Sequence, residues 1–419
     1  MDVDSLKHDV LIIGGGPSGL STALHLQRIA PHLAPRILIL EKARYPRPKL
    51  CAGGLVLDAE ILLQRLGLDV REVPHVDAKS IKFDFYGRGL NIRVPRKHAL
   101  RVIRRDEFDN WLAEKTRELG IEIREEVTVK NVFPQTDKVV VETEQETFHA
   151  QIVVGADGSN GITRRCIFPN APVHTARVLE VLTPEYNVIA RKRAKPDEAS
   201  SWRRGDTIPA MNGEIASGKN APRNDGDAYF EFSPVPDNIA GYVWDFPTQL
   251  NNKPMRCWGI YDTNLLAGEK RPQLKRPLAE EMARFGIDLN DYEIKGYPIR
   301  WFSPQSPMSA SRVLLVGDAA GADPLLGEGI SMALGYGALA AREISESFQR
   351  NEFSFNGYKR RVVRSALGQS LFARWFIAHM IYPLKWRWFQ FLLWRMMKPL
   401  LILIARVFVL NWGKRMPAL

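Results

Sequence analysis

Glycines and acids at set spacings carry the chemistry legible in this chain. Gly14, Gly16, Pro17, Ser18 and Gly19 directly follow the apolar run 10–13 and precede a helix-compatible stretch, 20–26. In a strand–turn–helix context, Gly14 permits the tight turn, Gly16 lets a pyrophosphate reach the backbone, and Gly19 lets helix and strand pack closely. A pyrophosphate placed there meets the unpaired N–H groups and the positive dipole end of the helix. A second apolar run, 37–40, ends in Glu41, followed by Lys42. A carboxylate about 20 residues beyond the last glycine takes ribose hydroxyls, and it favours a free 2′-OH over a 2′-phosphate.

Two later segments narrow the ligand. Gly155, Ala156, Asp157 and Gly158 close a strand, and the apolar run 313–316 ends in Gly317 and Asp318. Pro324 follows, then Gly327, Gly329 and Ile330 at the start of another helical stretch. Asp318 at a strand end can bind ribityl hydroxyls, and the helix N-terminus after Gly329 can stabilise negative charge on a reduced flavin ring. The three segments in this order describe a site for FAD. The block 317–330 resembles the C-terminal FAD motif of the flavoprotein family that includes the aromatic hydroxylases. Asp157 and Gly158, with Arg164 and Arg165 after them, are similar to that family's middle motif, although Gly161 stands where a serine is usual. Arg105 falls where such enzymes place a cofactor-binding arginine.

The elements that must position these residues imply an α/β fold. It comprises a Rossmann-like FAD-binding domain, discontinuous in sequence, an inserted β-sheet substrate domain and a C-terminal helical segment. The FAD-binding domain is expected over 1–170 and 300–350, and the sheet domain over 171–299. Within the first part, 106–120 reads as an amphipathic helix, with Phe108, Leu112 and Leu119 on one stripe and Gly120 stopping it. Runs beginning at Tyr229, Gly241 and Arg256 read as strands, and the polar stretch 192–227 reads as a long mobile loop.

Charge divides the chain unevenly. Of 58 Lys and Arg against 47 Asp and Glu, residues 351–419 hold twelve bases and one acid, so this segment carries the whole net charge of +11. It also holds five of the ten tryptophans, Trp375, Trp386, Trp388, Trp394 and Trp412. Bases interleaved with indoles and leucines suit helices lying in the headgroup layer of an anionic membrane, rather than a nucleic-acid surface. The charge-free runs are too short to span a bilayer. The alternative is helices packed on the enzyme body with their bases pointing outward. On the membrane reading, removing the tail near Ser365 leaves FAD bound. The polar start, 1–8, and three cysteines without metal spacing point to a cytoplasmic protein with reduced thiols, peripherally attached to a membrane.

Two further stretches refine the chemistry. Residues 48–54 include Lys49, Cys51, Ala52 and Gly53, and resemble the Lys-x-Cys-Gly-Gly stretch of the geranylgeranyl reductase family, with Ala52 for its first glycine. Tyr242, Trp244, Phe246 and Pro247 are similar to that family's Tyr-x-Trp-x-Phe-Pro signature. The resemblance implies reduction of double bonds in a long isoprenoid chain, with NADPH visiting transiently or a ferredoxin supplying electrons. Alternate residues of a strand share one face, so Tyr242, Trp244 and Phe246 form an aromatic wall for a prenyl chain. Cys51 is expected near the flavin as a proton donor or positioning group, and Lys49 could depress its pKa. The competing readings are a flavin-dependent monooxygenase or halogenase on the same fold, and a membrane-associated flavin or lipid binding protein without turnover.

Overall fold

The computed structural model describes residues 8–94, 97–185, 226–266 and 271–417. Its first sheet has a parallel centre in the order Val313–Leu315, Thr147–Gly155, His8–Ile13, Ile37–Leu40, Glu122–Arg124. All six residues of the central strand are buried, which its near-continuous apolar run anticipates for a parallel strand covered on both faces. The covering helices Pro17–Ile29 and Ile330–Arg350 pack tightly on each other. A Cβ at Gly337 would lie 2.5 Å from Ser21 Oγ, and that hydroxyl donates to the Leu334 carbonyl at 2.9 Å.

The amphipathic helix spans Arg105–Glu118 and buries Phe108 and Leu112 completely, while Leu119, beyond its last turn, is exposed. Gly120 follows at φ +76°, the left-handed conformation that ends helices.

The second sheet has seven strands, in the order Lys295–Arg300, Thr175–Pro184, Lys253–Asp262, Gly241–Leu250, Asp227–Glu231, Ser80–Phe85, Arg88–Arg93. The hairpin 80–93, which the sequence reading groups with 1–170, thus belongs to this sheet. It joins through a parallel pairing of Ser80–Phe85 with Asp227–Glu231. A small third sheet, Gly54–Leu55, Leu100–Ile103 and His75–Ala78, is made of strands that flank the hairpin 80–93 in sequence. Of the expected loop 192–227, residues 192–225 lie outside the described residues, and Asp227 already opens a strand.

The tail folds back onto both sheets as short helices, Tyr358–Arg364, Ala366–Ile381, Arg387–Arg395, Lys398–Ile404 and Trp412–Arg415. Trp412 is fully buried against Gly335, where a Cβ would lie 2.7 Å from the indole. Trp394 packs on Phe232 with ring centroids 4.7 Å apart. Asp58 accepts the backbone N–H groups of Asn411 and Gly413 at 3.0 and 2.8 Å. No helix among the described residues is long and apolar enough to cross a membrane. The other side of the tail is bare. Among the described residues, ten of the fourteen exposed large apolar side chains fall between Phe372 and Val407, including Phe376, Met380, Trp386, Trp388, Met396 and Leu403.

Candidate active site

A cavity of about 580 Å³ lies between the two large sheets. One wall is backbone. Gly14 has φ +107°, and a Cβ there would stand 2.4 Å from the Ala156 carbonyl oxygen. Gly16 caps the helix Pro17–Ile29 with no side-chain partner, and a Cβ on it would meet only Arg47, at 3.6 Å. The bare helix N-terminus therefore opens to the cavity and fits a pyrophosphate. Glu41 is buried and accepts the N–H groups of Gly15 and Ala43 at 2.8 and 3.1 Å. These bonds aim its carboxylate where a ribose would lie. Lys42, Ala156, Gly158 and Asp318 complete this side, and Ser159 donates to Asp318 at 3.3 Å.

Gly161 is explained by its neighbour. A Cβ there would stand 2.2 Å from Asp157 Oδ1, so a serine has no room while Asp157 accepts the Thr163 N–H and hydroxyl. Burial raises the Asp157 pKa, and its Oδ1 has no hydrogen-bond partner in the protein. An unpaired buried acceptor in the cavity wall fits a ligand hydroxyl.

Three expected cofactor residues do not line the cavity. Gly19 packs instead, with a Cβ position 2.1 Å from the Gly14 carbonyl. Gly317, at φ +58°, makes room for Ser18. The Pro324 carbonyl accepts the Tyr261 hydroxyl at 3.3 Å, so Pro324 backs the aromatic wall. Gly327, Gly329 and Ile330 do line it. The N-terminus they introduce is partly occupied, because Glu328 accepts the Ser331 N–H at 2.8 Å and the Ser331 hydroxyl at 2.6 Å. Burial raises the Glu328 pKa, which leaves the dipole less compensated than an ionised cap would.

The opposite wall is made of rings. Tyr242, Trp244 and Phe246 share the cavity face of Gly241–Leu250, and Phe230 sits 4.9 Å from Tyr242 and 5.1 Å from Phe246 between centroids. Tyr261, opposite Tyr242 in register, adds a fifth ring 5.6 Å away. The Tyr242 hydroxyl donates to the Leu326 carbonyl, tying this wall to the third cofactor segment. Gly259 faces Trp244 across the ladder, and a Cβ there would overlap the indole at 2.1 Å.

Cys51, Ala52 and Gly53 bridge the two walls. Gly53, at φ +76°, presses against the Ile103 carbonyl and donates its N–H to Cys51 Sγ at 3.4 Å, while Gly54 reaches Phe246. Burial raises the Cys51 pKa despite the opposing effect of Arg105, which contacts the sulfur. The lowering influences on the thiol are Arg105 and the Gly53 N–H rather than the expected Lys49; desolvation outweighs them, and the thiol keeps its proton at neutral pH. Lys49 lies 3.4 Å from the Tyr297 ring centroid, and burial lowers its pKa to about 8. Arg105 does not present a free charge, since it binds the buried Asp109 bidentately at 2.8 and 2.9 Å.

Several contributors carry no sequence signal strong enough to find them. Arg47 lines the cavity while approaching Glu41 at 3.4 Å and Asp109 at 3.3 Å. From the tail come Arg374, Val409 and Leu410. Arg374 is buried in an ion pair with Asp323 and donates to the Val409 carbonyl at 2.9 Å. The tail is therefore part of the cavity, contrary to the expectation that it can be removed with the cofactor site intact.

Comparison with known proteins agrees with this geometry. Residues 7–202 match the family model described as FAD binding domain. The chain is 24% identical over 364 residues to the digeranylgeranylglycerophospholipid reductase of Methanocaldococcus jannaschii, covering 84% of this chain and 82% of that one. It is 26% identical over 355 residues to the menaquinone reductase of Mycolicibacterium smegmatis, covering 80% and 76%. In fold it is similar to a geranylgeranyl bacteriochlorophyll reductase-like protein from Thermoplasma acidophilum, with a TM-score of 0.69 at 19% identity over 98% of this chain and 95% of that one. The flavin-dependent halogenase CmlS shares the fold at a TM-score of 0.58, with 20% identity over 90% of this chain and 66% of that one. The chain is an FAD-dependent oxidoreductase with an FAD binding domain at residues 7–202, similar to geranylgeranyl reductase-like proteins.

Proposed function

We propose that this flavoprotein saturates double bonds of a long isoprenoid chain, working at a membrane surface. The observation that carries the reading is the two-walled cavity, with a cofactor cradle facing a ring-lined slot and a protonated thiol between them. FAD in the cradle, held by Gly14, Gly16, Glu41, Asp157 and Asp318, would supply a hydride once reduced. An isolated trisubstituted alkene is electron-rich, so protonation must precede or accompany hydride arrival, and the tertiary carbon gains cationic character. Tyr242, Trp244 and Phe246 meet that demand, since aromatic faces stabilise a desolvated cation by about 1–2 kcal/mol each. Cys51 holds the proton at the boundary of the walls. Names of the reductase relatives support an isoprenoid-bearing substrate, and NADPH or a ferredoxin would serve as electron donor.

On this reading the segments 1–170 and 300–350 hold the cofactor, and 171–299, with the hairpin 80–93, shapes the slot. The segment 351–419 docks on an anionic membrane. Its exposed Phe376, Trp386, Trp388 and Met396 are interleaved with the exposed bases Lys385, Arg387 and Arg395, and no acid occurs after Glu352. That pairing of apolar and basic surface suits the headgroup layer. A prenyl substrate resident in the bilayer would then reach the slot without crossing water.

The test is anaerobic incubation of the reduced protein with geranylgeranyl lipid in vesicles, read by mass spectrometry. Each reduced bond adds two hydrogens. An unchanged lipid beside rapid air oxidation of the reduced protein would favour the monooxygenase or halogenase reading instead.

A further inference from the structure

Behind Cys51 lies an acid that the cofactor cradle and the ring wall do not use. Glu180 sits on Thr175–Pro184, between Gly259 on one neighbouring strand and Lys295 on the other. Two residues before it on the same face, Val178 lines the cavity. The Glu180 carboxylate faces the backbone N–H of Cys51, and its Oε2 is buried without a hydrogen-bond partner.

The cations near it are committed elsewhere. Arg104 pairs with Asp106 at 2.5 Å, and Lys295 pairs with Glu293 at 3.2 Å. The other titratable groups facing Glu180 are Cys51 and Cys257, and its charge pushes both of their pKa values up. Lys295 lies on the outer strand of the sheet with 60% of its side chain exposed, so Glu180 stands between the cavity thiol and solvent.

We propose that Glu180 is the proton reservoir of the Cys51 thiol, a positioning residue that recharges the sulfur from solvent through the edge of the seven-stranded sheet. The inference rests on the proposed alkene reduction for its use, although the coupling of the two groups does not. In that use, the Cys51 S–H bond breaks as a C–H bond forms at one alkene carbon, leaving a thiolate. The Glu180 O–H proton passes to the sulfur, and the resulting carboxylate takes a proton from water. The hydride at the other alkene carbon comes with the proposed reaction and lies outside the relay. Burial raises the Glu180 pKa to about 7, against the opposing effects of the Cys51 N–H, Lys295 and Arg104. Glu180 therefore carries its proton below that pH and loses it as the pH rises through it.

The test measures the pH dependence of Cys51 alkylation by iodoacetamide in the flavin-loaded protein, with the Cys51 peptide followed by mass spectrometry. Wild type, Glu180→Gln and Glu180→Asp are compared. Removing one nearby buried negative charge lowers a neighbouring thiol's pKa by ~1 unit. In Glu180→Gln, Cys51 alkylation at pH 8 to 9 is then expected to rise about tenfold, with Glu180→Asp close to wild type and flavin retention unchanged in both. Coincident alkylation profiles for wild type and Glu180→Gln would overturn the proposal. In the reduction assay, wild type is expected to slow above about pH 7, and Glu180→Gln to be slower with that limb absent. A Glu180→Gln protein that keeps the alkaline limb would also overturn it. If wild type reduces no prenyl alkene at any pH, the proposed function falls, while the alkylation profiles still decide the coupling.

Discussion

The two walls of the cavity are built from different materials, and they fail in different ways. The cofactor wall is largely backbone: bare glycines, strand ends and a helix N-terminus, with Gly14 so close to the Ala156 carbonyl that no Cβ fits. The opposite wall is side chains on a regular ladder, where rings touch at 4.9 to 6.4 Å and the backbone beneath is ordinary strand. A side chain at Gly14 in the first wall collides with main chain and must move the fold. A change in the second alters the lining and spares the frame. On the proposed function, cofactor binding depends on what is missing on one side, and reaction chemistry on what is present on the other.

The sharpest test of this contrast is Gly14→Val. A β-branched side chain at φ +107°, with Cβ 2.4 Å from the Ala156 carbonyl oxygen, cannot be accommodated without displacing the loop. Flavin affinity should fall at least ~1,000-fold, about 4 kcal/mol, read by fluorescence titration with FAD. Retention of yellow colour on purification would show that the backbone wall is softer than its geometry implies.

Next in size is the seam that the tail adds to both walls. Arg374→Met leaves Asp323, fully buried, without its cation. Breaking one partner of a buried pair costs about 3–5 kcal/mol, so the thermal midpoint should drop clearly at neutral pH. Truncation at Ser365 should be worse, because it also removes Trp412 from its slot over Gly335. An unaltered melting curve for Arg374→Met would detach the tail from the cavity.

Trp244→Leu addresses the ring wall alone. It removes the indole from the cavity face of Gly241–Leu250 and leaves the strand pairing beneath it in place. Prenyl reduction should slow at least several-fold, on the order of 1–2 kcal/mol, the worth of one desolvated cation–ring contact, while FAD affinity stays within about a factor of two. Equal losses in flavin binding and turnover would erase the division between the walls.

The smallest effect concerns the tail's bare side. Trp388→Ser with Phe376→Ser removes two side chains that are 65% and 53% exposed. Vesicle binding should weaken about tenfold, since partly burying such groups in the interface contributes on the order of 1 kcal/mol in sum. Surface changes of this kind move stability by less than ~0.5 kcal/mol, so the melting curve should hold. Unchanged sedimentation with anionic vesicles would assign that surface to another partner.

How far the sequence reaches follows the same division. Gly14, Gly16, Asp157 and Asp318 stand at spacings that only a few backbone geometries demand, so order and spacing along the chain suffice to pick them out. Tyr242, Trp244 and Phe246 alternate, and alternation determines a common face. What escapes is pairing over distance. Nothing in residues 80–93 announces that they leave the first sheet's neighbourhood to run beside Asp227–Glu231. Glu180 is a single acid in an alternating strand and reads as solvent-facing until the Cys51 loop is laid over it. In the tail, composition shows both bases and indoles but not which indoles turn inward, because the helices are short and take their orientation from the body. Trp394 and Trp412 are buried, whereas Trp386 and Trp388 are not.

The sheet order also has a consequence in time. The strand Thr147–Gly155 is made in the first half of synthesis, yet its flank in the parallel centre closes only when Val313–Leu315 arrives, about 160 residues later. The indole that seals the helix Ile330–Arg350 over Gly335 comes later still, with Trp412. At a ribosomal pace of 5–20 residues per second, an apolar strand edge therefore waits roughly 8 to 30 s for its partner. During that interval the nascent chain exposes the kind of edge that recruits other strands. The long connection through the seven-stranded sheet makes the growing chain, rather than the finished enzyme, the form most dependent on chaperone protection.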